Sequence, residues 1–197
     1  MSEEEAPKRP NAAVAIALAV IAAACLVYAA VTHKWLANDN PGEQIVFGLR
    51  DNSQCTGGDC LHRTNSELIK ELRDFSEASK QDASVGFAPF GWITLVASLL
   101  ATLGLLGAAG LAASRKKPDL PMTPATLALL GIMVGLISGC VFVALKPGPA
   151  GYVGVGLSFW VFGAGCVLGI AAAQLLAKVN RPLDPDLMAD AMNADEF

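Results

Sequence analysis

Two cysteines and two histidines are the residues of this sequence whose types most directly suggest chemistry. Cys55 and Cys60 lie in the stretch VFGLRDNSQCTGGDCLHR, and His33 and His62 lie in the same polar segment. Thiols and imidazoles are the ligands that zinc prefers, and closely spaced thiols also exchange disulfides with a substrate. A third interpretation is a structural disulfide, because the Gly-Gly pair between the cysteines can form a tight hairpin turn that brings the sulfurs together.

The spacing of the cysteines favours the structural disulfide. Thiol oxidoreductases commonly use Cys-x-x-Cys, whereas four residues separate Cys55 from Cys60, and the segment has no second pair to receive electrons. The thiols and imidazoles also match no strong zinc-ligand spacing. Cys25, Cys140 and Cys166 fall in apolar stretches and are interpreted as small buried side chains. We therefore expect a Cys55–Cys60 disulfide and no catalytic residue, metal or cofactor.

Four long uncharged stretches flank and follow this polar segment. Of the 197 residues, 53% are apolar and only 16% are charged, and each stretch runs for more than 20 residues without Asp, Glu, Lys or Arg. About 20 apolar residues suffice for a helix to cross a bilayer. The sequence therefore predicts an all-α membrane protein built on a bundle of four transmembrane helices. The predicted spans are 11–32, 87–113, 123–145 and 152–177.

The charges outside the spans predict the orientation of the chain. Basic residues occur in the leader and the second loop and directly after the last span, whereas residues 33–82 hold six basic and nine acidic residues. The positive-inside rule then places both termini in the cytoplasm. A cleaved signal peptide is disfavoured, because the chain starts with acidic residues and the first apolar run is long. We expect a multi-pass protein of the plasma membrane, or of the inner membrane if the source is bacterial. The segments between the spans are a leader (1–10), an outer loop (33–86), a cytoplasmic loop (114–122), a second outer loop (146–151) and an acidic tail (178–197).

Aromatic residues gather at the predicted outer ends of the spans. Aromatic rings favour the membrane interface, so this distribution supports the same orientation. Trp35 in particular is expected to anchor the outer loop to the bilayer interface. The residues concerned are Tyr28, Trp35, Phe87, Phe90, Trp92, Phe142, Tyr152, Phe159, Trp160 and Phe162.

Glycines at intervals of four residues form a strip on each of the last two spans. Such strips let helix backbones approach closely, either within one bundle or between two copies of a protein, and the sequence does not separate these alternatives. The spans contain no Asp, Glu, His, Lys or Arg, which argues against an ion-coupled transporter. The glycines are Gly131, Gly135 and Gly139 in the third span and Gly165 and Gly169 in the fourth.

The first outer loop is predicted to contain both strands and a helix. Residues 44–49 are β-prone, and Thr64 and Glu67 have the spacing of a capping box, in which each residue satisfies a free N–H at a helix start. Apolar residues then recur at helical spacing opposite charged ones, which predicts an amphipathic helix over 65–80. We expect its apolar stripe to pack on the small sheet or the membrane surface, with partner docking as the alternative.

The order of these features resembles the claudin and peripheral-myelin-protein superfamily. The residues that carry the resemblance in the first outer loop are Trp35, the Gly48-Leu49 pair and the cysteines Cys55 and Cys60. The resemblance implies a small antiparallel sheet, pinned by that disulfide, above a left-handed four-helix bundle. Gly48 is then expected to allow close approach of two strands.

A second part of the resemblance lies at the entry to the fourth span, and two features depart from the family pattern. Tyr152, Gly154 and Phe159 are similar to the aromatic and glycine residues with which the family begins this span. Arg50 replaces the second tryptophan that follows Gly-Leu in the family, and the cysteines are closer together than is usual there.

The sequence thus predicts a non-enzymatic, claudin-like membrane protein that binds a protein partner through its outer face. The partner is a neighbouring cell's protein, another copy of this chain or a larger membrane complex, and no nucleic acid is expected. Arg50 and Asp51, beside the disulfide, are the predicted contact residues. The alternatives are a membrane thiol–disulfide oxidoreductase and an accessory subunit of a channel or transporter.

Overall fold

The computed structural model describes residues 11–38, 43–79, 86–114, 122–147 and 153–180. Four of its helices are long and apolar enough to cross a membrane, which confirms the four predicted spans as helices and supports a multi-pass membrane protein. The leader, most of the acidic tail and Tyr152 lie outside the described residues. The elements are α1 (Ala12–Val31), β1 (Leu36–Asn38), β2 (Glu43–Phe47), β3 (Asp51–Thr56), β4 (Asp59–Thr64), α2 (Asn65–Ser79), α3 (Phe87–Ser114), α4 (Pro124–Ala144), β5 (Gly154–Val155) and α5 (Leu157–Val179).

Side-chain caps fix where two of the long helices begin. The Asn11 side chain accepts a hydrogen bond from the Ala13 N–H at 3.0 Å at the start of α1. Thr123 accepts one from the Thr126 N–H at 3.2 Å, and Pro124 follows it at the first helical position, as predicted. Each cap satisfies one of the backbone donors that a helix leaves free at its N-terminus.

The long helices pack through small residues, α3 along α4 and α1 along α5. A Cβ on Gly131 would lie 2.7 Å from the Ala101 nitrogen and 2.8 Å from the Ala97 oxygen, so α3 and α4 touch backbone to backbone. Gly104 is equally close to Ala128 from the other side, since a Cβ there would lie 2.6 Å from the Ala128 nitrogen. Glycine at these sites is what permits the approach.

The rest of the glycine strip also faces neighbours within the same chain. Gly135 and Gly139 lie against the ring of Phe162, with 3.4 and 3.3 Å between a built Cβ and the nearest ring carbon. Gly165 faces Cys25 and Leu26 of α1, and Gly169 faces Ile132 and Leu105. Packing within one bundle therefore accounts for all five predicted glycines.

A five-stranded antiparallel sheet covers one end of the bundle, with the strand order β4-β3-β2-β1-β5. The first outer loop supplies four strands, and the short strand before α5 adds the fifth by pairing with β1. Backbone hydrogen bonds extend this junction: Gly156 N–H donates to Trp35 O at 2.8 Å, and Ser158 N–H to Lys34 O at 3.1 Å. The buried residues Leu36, Ile45, Phe47 and Leu49 join the sheet to the core of the bundle.

The predicted capping box and amphipathic helix are both present. Thr64 N–H donates to Glu67 Oε2 at 2.8 Å, and Glu67 N–H donates to Thr64 Oγ1 at 3.2 Å. Hydrogen bonds from the Thr64 N–H and from the Thr64 side chain stabilise the carboxylate and lower the pKa of Glu67. Leu68 of α2 is buried, and it borders the same cavity as Ile45 of the sheet. The helix thus packs on the sheet.

Candidate interaction surface

The β3–β4 hairpin contains the two cysteines as directly opposite residues, and they form the expected disulfide. Gly57 and Gly58, with φ of 62° and 99°, form the two-residue turn, and both angles favour glycine. Because both sulfurs are bonded to each other, neither is available as a thiolate for the zinc set considered from the sequence. Within the described ranges, no three His, Cys, Asp or Glu residues are placed to hold a metal ion.

Trp35 is completely buried, so its predicted role as an interface anchor is wrong. Its indole Nε1 donates to the Ala29 carbonyl oxygen at 2.6 Å, which satisfies the one polar atom of the side chain. Its ring lies against three phenylalanines of α4 and α5, with ring centroids 5.1 Å from Phe162 and 6.0 Å from both Phe142 and Phe159. Trp35 therefore fixes the start of the sheet to the bundle.

Other aromatic residues are exposed at this end of the bundle. Tyr28, Trp92 and Trp160 are 44%, 48% and 66% exposed, and they belong to three different spanning helices. Exposed aromatic rings near the end of a transmembrane helix suit the membrane interface. From the sequence alone, these three exposed residues could not be told apart from the buried aromatic residues around Trp35, because both sets occur at the same ends of the spans.

Gly48 and Leu49 lie between β2 and β3 and have different roles. Leu49 is buried, and a Cβ on Gly91 of α3 would overlap the Leu49 carbonyl oxygen. A Cβ on Gly48 would lie 2.7 Å from Asp51 Oδ1 and 3.3 Å from His33 Nδ1. Gly48 therefore leaves room for the side chains of His33 and Asp51. It was expected to let two strands approach closely, and the structure gives it this other role.

The two predicted contact residues differ in how accessible they are. Arg50 is exposed in the turn before β3. The Asp51 carboxylate lies 2.6 Å from His33 Nδ1, and its side chain is 34% exposed. Arg50 is accordingly the freer of the two, and a role of either residue in binding stays a prediction.

Each face of the sheet borders a cavity. On the face that α2 covers, Arg63 donates to Gln54 Oε1 at 3.1 Å and also pairs with Glu71. This face encloses about 170 Å³ between the sheet and α2. The opposite face has a cavity of about 230 Å³, lined by His33, Val46, Asp51, Asn52, Ser53 and His62.

Three features of this end of the molecule were not predicted: β5, Gly91 and Gly156. A Cβ on Gly156 would overlap the Lys34 carbonyl oxygen, just as one on Gly91 would overlap that of Leu49. At Gly91 the backbone of Leu49 lies directly against α3, and at Gly156 the backbone of Lys34 lies directly against the start of α5. Gly154, expected from the resemblance at the entry to the fourth span, lies in β5, and Phe159 lies against Trp35.

No family model matches the sequence, and no curated protein is detectably similar to it. The claudin-like membership therefore stays a prediction, carried by the few residues named above. The fold itself is a bundle of four apolar helices with a small disulfide-bonded antiparallel sheet at one end.

Proposed function

We propose that this chain is a non-enzymatic, claudin-like protein of the plasma membrane that binds a protein partner through its sheet. The observation that carries the proposal is a polar sheet held firmly at one end of an apolar bundle. The buried Trp35 cluster, the β1–β5 pairing and the Cys55–Cys60 disulfide all restrict movement of this sheet. A rigid surface binds with less loss of conformational freedom than a mobile loop does.

The distribution of charge supports an orientation with the sheet outside the cell. Lys178 lies in the last turn of α5, at the end of the bundle opposite the sheet, and in the sequence Arg115, Lys116 and Lys117 directly follow Ser114, the last residue of α3. Positively charged residues at this end favour its retention in the cytoplasm. Both termini are then cytoplasmic, and the sheet is available to a partner outside.

The polar side chains within the bundle support a structural role for the spans. Thr94 Oγ1 lies 2.7 Å from Phe90 O and 2.8 Å from Ser138 Oγ, and Thr32 Oγ1 lies 2.7 Å from Ser158 Oγ. Ser98 and Thr102 bond back to carbonyl oxygens of their own helix. These groups stabilise helix packing, which suits a bundle that carries a binding surface.

Photo-crosslinking tests this proposal in intact cells. A photoreactive amino acid at Arg50 is expected to give a discrete adduct with a protein, because this side chain is exposed beside the hairpin. The same amino acid at Leu103, a lipid-facing position that is 64% exposed, serves as the matched control. Equal labelling at both positions, or no protein adduct at Arg50, would contradict the proposal.

The redox state of Cys55 and Cys60 distinguishes the proposed binding function from an enzymatic role in thiol–disulfide exchange. Alkylation of membranes with and without reductant is expected to show Cys55 and Cys60 fully oxidised, because they form a structural bond in an oxidising compartment. A mixed population that responds to oxidant and reductant during turnover would favour the enzymatic alternative.

A further inference from the structure

The cavity between the sheet and α2 is bordered by two elements whose side chains face each other. Ile45 and Phe47 alternate along β2 and therefore share a face of the sheet, and Arg63 is on that face because it lies in the same cross-strand row as Phe47. Leu68 and Leu72, four residues apart, lie on one side of α2. The lining is mainly apolar, and five of its eight residues are Ile45, Phe47, Leu68, Leu72 and Pro147.

Side chains of the sheet and of α2 fix the position of the Arg63 guanidinium group beside this cavity. Its Nη2 donates to Gln54 Oε1 at 3.1 Å, and its Nη1 donates to Glu71 of α2. Gln54 is held in turn, because its Nε2 donates to Glu43 Oε1 at 2.7 Å. The guanidinium group is therefore oriented by the sheet on one side and by α2 on the other.

One donor of this guanidinium group, the Nε–H of Arg63, is left without an acceptor. The Nε atom is buried, and no described residue accepts a hydrogen bond from it. Arginine stays protonated in proteins, so the donor cannot be removed by titration. A buried donor without a partner destabilises the folded state. A molecule that brings an acceptor into the cavity would therefore gain a hydrogen bond that the chain alone does not make.

The size and lining of the cavity favour an organic molecule over water. A buried water typically makes about three hydrogen bonds, whereas this lining is mainly apolar and has a single buried side-chain donor without a partner. The cavity encloses about 170 Å³. An apolar cavity of about 150 Å³ is large enough to bind benzene. Because Glu71 already balances the charge of Arg63, the acceptor need not be an anion.

We propose that this cavity binds a small neutral molecule, with an apolar body the size of one ring and a carbonyl oxygen that accepts from the Arg63 Nε–H. The apolar body contacts side chains of both the sheet and α2, such as Phe47 and Leu72. The bound molecule therefore joins α2 to the sheet and holds the helix in place. Arg50 is not among the described residues that border the cavity, so this binding is independent of the proposed partner contact.

Titration of the full chain in lipid nanodiscs with acetophenone tests the site. Nuclear magnetic resonance should show a saturable shift of the Arg63 Nε–H proton, and hydrogen exchange should become slower at α2 amides such as that of Leu68. The matched hydrocarbon α-methylstyrene has a CH2 group in place of the oxygen. At equal free aqueous concentrations it should bind roughly ten- to hundredfold more weakly, the difference typical of a hydrogen bond to a charged group. Equal affinities, or tighter binding of benzoate than of acetophenone, would overturn the assigned ligand class.

A pair of matched substitutions separates binding in the cavity from partition into the lipid. Leu72→Phe adds volume inside the cavity, and acetophenone should bind about tenfold more weakly or not at all. Leu61→Phe makes the same change at a leucine that is 55% exposed, and it should leave the affinity unchanged. Equal affinities for both variants would overturn the site. If the wild-type chain gives no saturable shift with either molecule, the cavity holds water only and the inference is wrong, whatever Arg50 binds.

Discussion

The bundle and the sheet are stabilised by opposite arrangements of side-chain size. In the bundle, the interior is rich in alanines and glycines, while many large apolar side chains are exposed, such as those of Leu103 (64%) and Val167 (68%). In the sheet end, the large side chains of Trp35, Phe47 and Leu49 are buried, and charged ones such as Arg50 and Asp59 are exposed. The difference follows from the surroundings, since lipid accepts a large apolar surface and water does not.

The two regions also differ in what holds their backbones together. The helices satisfy their own hydrogen bonds and gain stability from close packing. The sheet end is small, and it adds a disulfide, a capping box and a tryptophan fixed by a hydrogen bond. Substitutions in the bundle should therefore act by changing the packed side-chain volume, and substitutions in the sheet end by removing a specific bond.

Loss of Trp35 should have the largest effect, because this residue joins the two regions. Trp35→Ala removes a fully buried ring and its contacts with three phenylalanines. We expect the free energy of unfolding to fall by about 3–5 kcal/mol. Thermal unfolding in detergent measures this loss. Trp160→Ala, which changes a ring that is 66% exposed, should remain within about 1 kcal/mol of the wild type; equal effects would contradict the assigned burial.

Volume added at the junction should have the next largest effect. Gly91→Ala places a methyl group against the Leu49 carbonyl oxygen, and such overpacking costs about 1–3 kcal/mol. Gly163→Ala in α5 is the matched control, because a Cβ there meets nothing within 4 Å. Thermal stability should fall for the first variant and stay within about 1 kcal/mol for the second. A tolerated Gly91→Ala would show that the sheet and α3 are not in direct contact.

Loss of the disulfide should have a smaller effect that is confined to the sheet. Replacing both Cys55 and Cys60 with serine opens the small loop between two cysteines that are five positions apart, for which the loop-closure model gives about 2 kcal/mol. Hydrogen exchange should become faster at hairpin amides such as that of Leu61 and stay unchanged in the spans. Cys140→Ala, at an exposed free cysteine, is the control and should change neither region. Faster exchange throughout the bundle would show that the two regions unfold together.

Acidification should have the smallest effect, acting on the start of α2. The pKa of Glu67 is lowered from its ordinary value of 4.5, so the ionised carboxylate stabilises the folded cap. This stabilisation is fully present above that value and is lost as the pH falls through the lower pKa of the folded state. Nuclear magnetic resonance of the Thr64 amide should report loss of the cap only below pH 4.5. Glu67→Ala should remove this transition, and a transition that persists in that variant would assign it to another group.

Local sequence patterns predicted the spans, the hairpin and the capping box, because each depends on residues that are close together in the chain. The Gly-Gly turn specifies the cysteine pairing by itself. The burial of Trp35 was missed because it depends on Phe142 and Phe162, which lie on distant helices. Gly91 was missed for the same reason, since its partner Leu49 lies in a different segment and glycine is common in membrane helices.

The pairing of β1 with β5 has a consequence for the order in which the protein is made. Leu36 and Val155 are adjacent in the sheet, although more than one hundred residues separate them along the chain. The β2–β3–β4 portion can form while the ribosome is still synthesising the middle helices. The sheet is complete only when the segment before α5 has been made and lies beside β1, so its last strand depends on residues that follow the third spanning helix.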